Sequence, residues 1–380
     1  MTAWSWGANS YGQLAEGHKD DQLTPQPLSD FPSKVFCMAC GGGHTLLVTD
    51  EGNAFACGSN SKGQLGAGDL EDRVTLTQIS ALKVKVTAVA GGWDFSLGVG
   101  DSGELYSWGS NAFGQLGDPS LPSKSTVPSC VALPERLVQV AAGLRHSVAL
   151  AESGNVFCWG HAKRGQCGQQ GHGQLKYTSP VKAHFCISVT LPDGVGRVVQ
   201  IVAGSYHTAA LTDKGVVLFW GCNKHGQAAE DTTQVHKVDS PIVLDQSMFK
   251  DEKVKTISSG WTHFLAQTEN GSVYSWGRGD YGQLGRARPP ENQGHSHIPG
   301  KVELPETVVR FQCGSENALF VTESGQVFSV GWNEHGLCGT GDEVNVERPT
   351  PIHYLPQDAD MYIACGGGHC FAVSRKTDKG

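Results

Sequence analysis

The sequence predicts an all-β fold: a seven-bladed β-propeller of four-stranded antiparallel blades, with residues 1–380 forming one domain. Three observations predict it. A turn of the form N-x-x-G-Q-L-G, entered from a strand ending in Gly, recurs with its leading glycines at 7, 58, 109, 160, 221, 277 and 331. A second signature, G-x-x-H, keeps step at Gly41/His44, Gly143/His146, Gly204/His207, Gly260/His263 and Gly366/His369, with Asp94 and Asn317 holding the His place in the other two copies. The chain also begins and ends in mid-repeat. Self-similarity at such a period marks units that bury their faces on one another.

Taken in order, the first element is Ala3 to Gly7, the end of a turn-signature strand without the G-x-x-H half that should precede it. That half stands at the other terminus, in Cys365-Gly366-Gly367-Gly368-His369 and the apolar run after it. Residues 3–7 are therefore expected to complete the blade begun by residues 362–374, closing the ring by pairing the N- and C-terminal strands. In the first full repeat, alternation places strands at Val35 to Ala39, His44 to Thr49 and Ala54 to Cys57, around the turn Asp50-Glu51-Gly52-Asn53. Gly in the third place of that turn permits the positive φ of a tight hairpin. The turn recurs at 101–103, 152–154, 213–215, 269–271 and 323–325. A fourth strand is expected at Thr24 to Leu28, Val127 to Leu133, Asp239 to Leu244, Pro299 to Leu304 and Pro349 to Tyr354. Proline suits an outer edge, where a missing N–H leaves no ladder partner unsatisfied.

Length varies only outside the two signatures. The longest departure runs from His161 to Val202, the next between Cys222 and Ser259. Insertions in repeat proteins map to surface loops that packing does not require. The segment 169–196, with Gln169, His172, Lys176, Tyr177 and Asp193, is the candidate for a wedge projecting toward a partner. Its plain alternative is a tolerated loop extension, since longer loops cost little stability.

Composition narrows the function classes. A net charge of −8 with no basic run at either end lacks the footprint that neutralises phosphates, so nucleic acid is not an expected partner. No apolar stretch approaches a membrane span, and Met1-Thr2-Ala3-Trp4 leads straight into the first strand, so neither membrane insertion nor export is expected. Among the 12 cysteines, Cys40, Cys57, Cys158, Cys313 and Cys365 occupy strand slots that other repeats fill with Ala, Trp, Val or Ser. They read as small buried hydrophobes in a reducing compartment. The cytoplasm is the expected location, and a chain of 40.4 kDa without an import signal also has passive access to the nucleus.

No constellation for chemistry stands out. Cys37-Met38-Ala39-Cys40 has redox or zinc spacing but falls on a strand, and no second pair accompanies it. The glycine runs do not open a helix and no phosphate-loop Lys follows them, so the chain is not expected to bind nucleotide. The repeat histidines His44, His146, His207, His263 and His369 are expected to be structural, each bonding a backbone group of its adjoining turn, with no metal, cofactor or catalytic residue.

The two signatures, in this order and with this phase at the termini, resemble the repeat of the regulator of chromosome condensation family over essentially the whole chain. The resemblance implies a propeller that binds proteins, the founding activity being guanine nucleotide exchange on a small GTPase without covalent chemistry. It also implies a binding face, the loops between the Gly and the His of the second signature, where the founding member presents acidic residues. Here the corresponding pairs are Gly42-Gly43, Gly92-Trp93, Leu144-Arg145, Ser205-Tyr206, Trp261-Thr262, Ser315-Glu316 and Gly367-Gly368, of which only Glu316 is acidic. Arg145 stands where the founding member has a carboxylate, and the founding member's basic N-terminal arm is missing. The partner face expected from these loops is Trp93, Asp94, Arg145, Tyr206, Trp261 and Glu316, a Trp/Tyr/Arg mix typical of interface hot spots; the alternative for the tryptophans is packing between blades. The expectation is an exchange-factor-like regulator, monomeric, acting on a small GTPase or a secretory-pathway protein. Its alternative is a scaffold that binds a secretory or vesicle-tethering protein without promoting exchange.

Overall fold

Strand and turn alternate around a closed ring in the computed structural model, which describes residues 1–168, 187–287 and 294–374. Seven four-stranded antiparallel sheets stand side by side, six of them with their strands in sequence order from the axis outward. The first complete blade is Val35–Cys40, His44–Thr49, Ala54–Gly58 and Arg73–Gln78. Five further blades follow, with innermost strands Val86–Gly91, Leu137–Ala142, Val198–Ala203, Val254–Ser259 and Val308–Cys313. We number these blades one to six. The seventh joins both ends of the chain: Tyr362–Cys365, His369–Ser374, Thr2–Gly7 and Gln22–Pro27. Its latch is a continuous antiparallel ladder from Thr2↔Ser374 to Gly7↔His369, the closure expected from the phase of the termini.

The outer strands begin earlier than their sequence pattern suggests. They span Gln22–Pro27, Lys124–Val131, Lys237–Val243, Ser296–Lys301 and Val346–Pro351. Pairing runs back to the strand-ending glycine, as in Gly7↔Gln22, Gly58↔Arg73 and Gly331↔Val346, and a bulge separates this contact from the proline-bearing part. The polar residues at that first contact carry no hydrophobic alternation, so the pattern understates the strand.

The N-x-x-G-Q turn is a clasp between blades. In blade one, Asn60 Oδ1 accepts the Leu65 N–H at 3.0 Å, Gln64 Oε1 accepts the Lys62 N–H at 2.9 Å, and Asn60 Nδ2 donates to the Asp69 carbonyl at 3.1 Å. Between these anchors Gly63 takes φ +84°, and a Cβ there would lie 2.6 Å from the Ser125 carbonyl oxygen on the outer strand of blade two. Glycine lets the turn press against its neighbour's backbone. The Gln carbonyl then serves that neighbour. Trp108 Nε1 donates to Gln64 O at 2.8 Å, Trp159 Nε1 to Gln115 O at 2.8 Å and Trp276 Nε1 to Gln227 O at 2.9 Å. Trp6, Trp108, Trp159, Trp220 and Trp276 are all fully buried, so these indoles form the apolar walls between blades.

Antiparallel order puts two loops of every blade at one end of the barrel: the G-x-x-H turn joining the first two strands, and the clasp joining the last two. We call this end the upper face. The Asp-Glu-Gly-type turns lie at the lower face, where Gly52 and Gly103 carbonyls accept the N–H of Val86 and Leu137 from the next blade, each at 2.9 Å.

Candidate interaction face

The repeat histidines lie just beneath the upper face, all of them buried. His44 Nε2 sits 2.9 Å from Ser96 Oγ of the next blade, and Ser96 Oγ donates to Gln64 O at 2.7 Å. A hydroxyl has one proton to give. With that proton on the carbonyl, the ring must donate through Nε2, which sets its tautomer. His369 with Thr45 and His146 with Thr208 repeat the relay at 2.9 Å and 3.0 Å, Thr45 donating to Gln13 O and Thr208 to Gln166 O. His207 reaches Ser259 Oγ at 2.8 Å. These partners differ from the expected backbone group of the adjoining turn: four of the five rings, each packed under its own Gly, reach across the seam to a hydroxyl. His263 has no hydroxyl to meet because Ala318 stands there, and among the described residues neither of its ring nitrogens is bonded. Burial drives the pKa of His44 down to about 4 and that of His146, His263 and His369 to about 3. Among the described residues no cluster of metal-ligating side chains occurs.

Above the histidines the turns join hand to hand. Leu144 N–H donates to Ser205 O, Ser205 N–H to Trp261 O, Trp261 N–H to Ser315 O, Ser315 N–H to Gly366 O, Gly367 N–H to Gly41 O and Gly42 N–H to Gly92 O. This circuit links blade three through blades four to seven and round to blade two. Inside it runs an axial channel of about 280 Å³, lined by the innermost strands. Gln139 and Gln200 bridge those strands by pairing with both the N–H and the carbonyl of Ile201 and Ile257, and Tyr362 does the same with Met38. Trp93 from blade two and Trp261 from blade five reach across the channel mouth, ring centroids 5.2 Å apart at 60°. Gly42 makes room, since a Cβ there would lie 2.7 Å from the Trp93 ring. Trp93 is 47% exposed, so this tryptophan caps the channel and is not packed between blades.

Arg145 and Tyr206 belong to one chain of stacked groups. The Arg145 guanidinium lies 4.4 Å from the Phe113 ring centroid, Phe113 meets His161 edge-on at 5.3 Å, His161 lies 6.0 Å from Tyr206, and the Arg164 guanidinium stacks 4.4 Å from Tyr206. Asp94 is half-buried next to this chain. Burial pushes its carboxyl up, against the Ser110 hydrogen bond and the charges of Lys62 and Arg145. Glu316 stands apart from the exposed residues. It is 7% exposed, accepts from Thr262 Oγ1 at 2.7 Å and Gln283 Nε2 at 2.7 Å, and has Arg278 Nη1 at 3.5 Å. Burial raises its pKa while those hydrogen bonds and Arg278 lower it. Its carboxylate ties the turns of blades five and six together and is not presented to solvent.

The expected wedge segment is described only in part. Gln169, His172, Lys176 and Tyr177 lie outside the described residues. Asp193 is separated from them by the outer strand Ile187–Ser188, which crosses to the lower end, and Gly194 beside it accepts from Lys214 Nζ in a lower-face turn. Asp193 therefore belongs to the opposite face. In exchange, the structure brings forward Lys62, Phe113, His161 and Arg164, all in clasp turns. The signal for Lys62, Phe113 and Arg164 was their place in the variable positions of N-x-x-G-Q, and for His161 the slot just before that motif, on the end of the barrel that the G-x-x-H turns share.

The profile of the RCC1-like domain matches residues 2–372. The secretion-regulating guanine nucleotide exchange factor of Mus musculus is 41% identical over 395 residues, an alignment covering 97% of this chain and 83% of that protein. The Bos taurus protein of the same name is 41% identical over 391 residues, covering 97% and 82%. Among solved structures, Prp20p from Saccharomyces cerevisiae, described with its binding to Gsp1p and histones, superposes with a TM-score of 0.84 at 25% identity, covering 99% of this chain and 92% of that one.

Proposed function

The chain belongs to the RCC1-like domain family, and from that membership we propose that it acts as a guanine nucleotide exchange factor for a small GTPase in regulated secretion, through its upper face. The observation that carries this reading is 41% identity, along nearly the whole propeller, to proteins named for that activity. Such a role needs no covalent chemistry. A factor that binds the emptied GTPase more tightly than the loaded one lowers nucleotide affinity by the same ratio. The rigid ring suits this, because turns fixed by a hydrogen-bonded circuit can hold a partner's loops in one geometry. We place the protein in the cytoplasm as a monomer, with passive access to the nucleus; cysteines that stand in strand slots filled by Ala, Trp, Val or Ser in other repeats support a reducing compartment.

One observation favours a second reading, a scaffold that binds a secretory-pathway protein without promoting exchange. The resemblance implies acidic residues in the G-x-x-H turns, and the single carboxylate among the paired positions, Glu316, is buried and bonded. Release of a fluorescent guanine nucleotide from a panel of purified small GTPases separates the two. Exchange activity predicts at least about a hundredfold acceleration on one member at micromolar protein, equal to about 2.7 kcal/mol of barrier. A pull-down that retains a GTPase with no acceleration on any member supports the scaffold.

A further inference from the structure

The repeat symmetry of the upper face fails at one seam. Between blades two and three the turn-to-turn circuit has no link among the described residues, and the histidine slot of blade two holds Asp94. The Ser147 hydroxyl, at the position that would receive a histidine, donates to the Gln115 carbonyl at 2.7 Å. An aspartate is too short to repeat the relay. A hollow of about 360 Å³ opens instead, walled by Trp93 and Phe113 and edged by Lys62, Lys124 and Arg145 around Asp94. Three cations against one half-buried carboxylate leave it net positive.

The adjoining stack carries the same sign. Arg145 and Arg164 are each held by a ring face, on Phe113 and Tyr206. Stacking fixes a guanidinium plane and leaves its N–H edge free for an oxyanion. Among the described residues neither arginine pairs with a carboxylate, and the one hydrogen bond made by these guanidiniums is Arg164 Nη1 to Cys222 Sγ at 3.8 Å. The imidazole between them, His161, is pushed down to about 4 by burial and then by Arg145, Arg164 and Lys163, which reports the local positive potential. The clasps of blades six and seven carry a carboxylate excess, with Glu334, Asp342 and Glu343 in the one and Glu16, Asp20 and Asp21 in the other, while in blade one Asp69 pairs with Arg73 and Asp72 with Lys19. On the blade-one side the basic arc is thus bounded by carboxylates, on a protein of net charge −8.

We propose that the arc from Lys62 and Lys124 through Arg145 to Arg164 recognises a short acidic segment of a partner protein, one carboxylate entering the hollow and another meeting the Arg164 edge. An acidic peptide fits better than a long polyanion, because the flanking carboxylates repel charge that runs beyond the arc. This rests on the reading of the upper face as the docking face and adds the chemistry of the surface it meets.

The test uses the full chain and a fluorescein-labelled dodecapeptide of alternating Glu and Gly, followed by anisotropy at low and moderate salt. Micromolar binding is expected, about tenfold weaker in the R145A/R164A variant and at about 300 mM salt, where screening shortens the reach of exposed charges. R136A removes a lower-face arginine that faces Glu152 and should bind as the parent does. Thermal melting of each variant shows whether the fold is intact, and K62A/K124A provides a second, independent reading of the arc. No peptide binding at low salt, or equal binding by R145A/R164A, overturns the proposal. So does tighter binding of a twelve-nucleotide oligothymidine or of phosphatidylserine vesicles, or a doubled mass in sedimentation that R145A/R164A abolishes. Nucleotide release that persists in the absence of peptide binding removes this inference and leaves exchange standing; arginine-dependent peptide binding without release does the reverse.

Discussion

At the scale of the residue, the repeat histidines show what burial does to a titratable group. An imidazole is ordinarily half-protonated near pH 6.5, and here His44 is held at about 4 and His146, His263 and His369 at about 3. Between those values the unfolded chain takes up protons that the folded chain refuses. Stability is therefore fully present above about pH 6.5 and falls as pH drops toward 4, by up to about 1.4 kcal/mol per pH unit for each imidazole. The raised carboxyls of Asp94 and Glu316 oppose this, and they are outnumbered. Urea midpoints at pH 7.5, 6 and 5 should fall over the first interval, where the unfolded imidazoles begin to take up protons, and fall more steeply over the second. A midpoint that holds to pH 5 would mean that these rings are not buried neutral. Two of the three charged residues of the expected partner face, Glu316 and Arg145, should also separate. Glu316→Ala strands the hydrogen-bonding groups of Thr262, Gln283 and Arg278 and should cost about 1–3 kcal/mol, whereas Arg145→Ala, at an exposed position, should stay within about 0.5 kcal/mol of the parent by thermal melting.

At the scale of the element, the clasp turn explains why so much of the fold was legible. Asn, Gly and Gln recur because each performs one backbone task that no other residue at that place performs as well. Gly63 combines positive φ with a Cβ position 2.6 Å from the Ser125 carbonyl, while Gly17 has φ +83° and nothing within 4 Å. Gly17→Ala should therefore cost only the left-handed conformation, about 1–2 kcal/mol, and Gly63→Ala should cost about 2–4 kcal/mol because the next blade must also move. Equal losses in denaturant titrations would show that the seam yields without resistance. The candidate site was harder to read for the same physical reason. Trp93, Arg145 and Tyr206 were found because the G-x-x-H frame points to them. Phe113, His161 and Arg164 occupy places the clasp leaves free, where no packing rule constrains identity, and only the three-dimensional meeting of two loop sets makes them a surface. The inner-strand slot held by Gln139, Gln200 and Tyr362 was likewise hidden, since a polar residue on an apolar strand reads as an exception until its bridge to the next blade is seen.

At the scale of the whole molecule, closure decides how the ring melts. An open array of repeats frays from its ends, because a terminal unit has one neighbour instead of two. This ring has no terminal unit so long as Thr2–Gly7 stays paired with His369–Ser374, and that latch is held by hydrogen bonds and by the packing of Ala3, Trp4 and Trp6, not by a covalent link. Trp6 is fully buried in the wall between blades six and seven, donating to the Leu337 carbonyl at 3.0 Å. Trp276 fills the equivalent wall between blades four and five and donates to Gln227 O at 2.9 Å. Each Trp→Ala change removes a comparable buried indole and should cost about 3–5 kcal/mol. If the ring is one cooperative unit, both variants shift the same single transition, and the double variant loses the sum of the two within about 0.5 kcal/mol, as expected for distant sites. If the latch opens first, Trp6→Ala alone produces an early step, in which near-ultraviolet dichroism changes before the far-ultraviolet signal, and Trp276→Ala does not. The upper-face backbone links favour the first outcome, because the seventh blade is also tied to its neighbours on both sides, by Ser315–Gly366 to blade six and by Gly367–Gly41 to blade one.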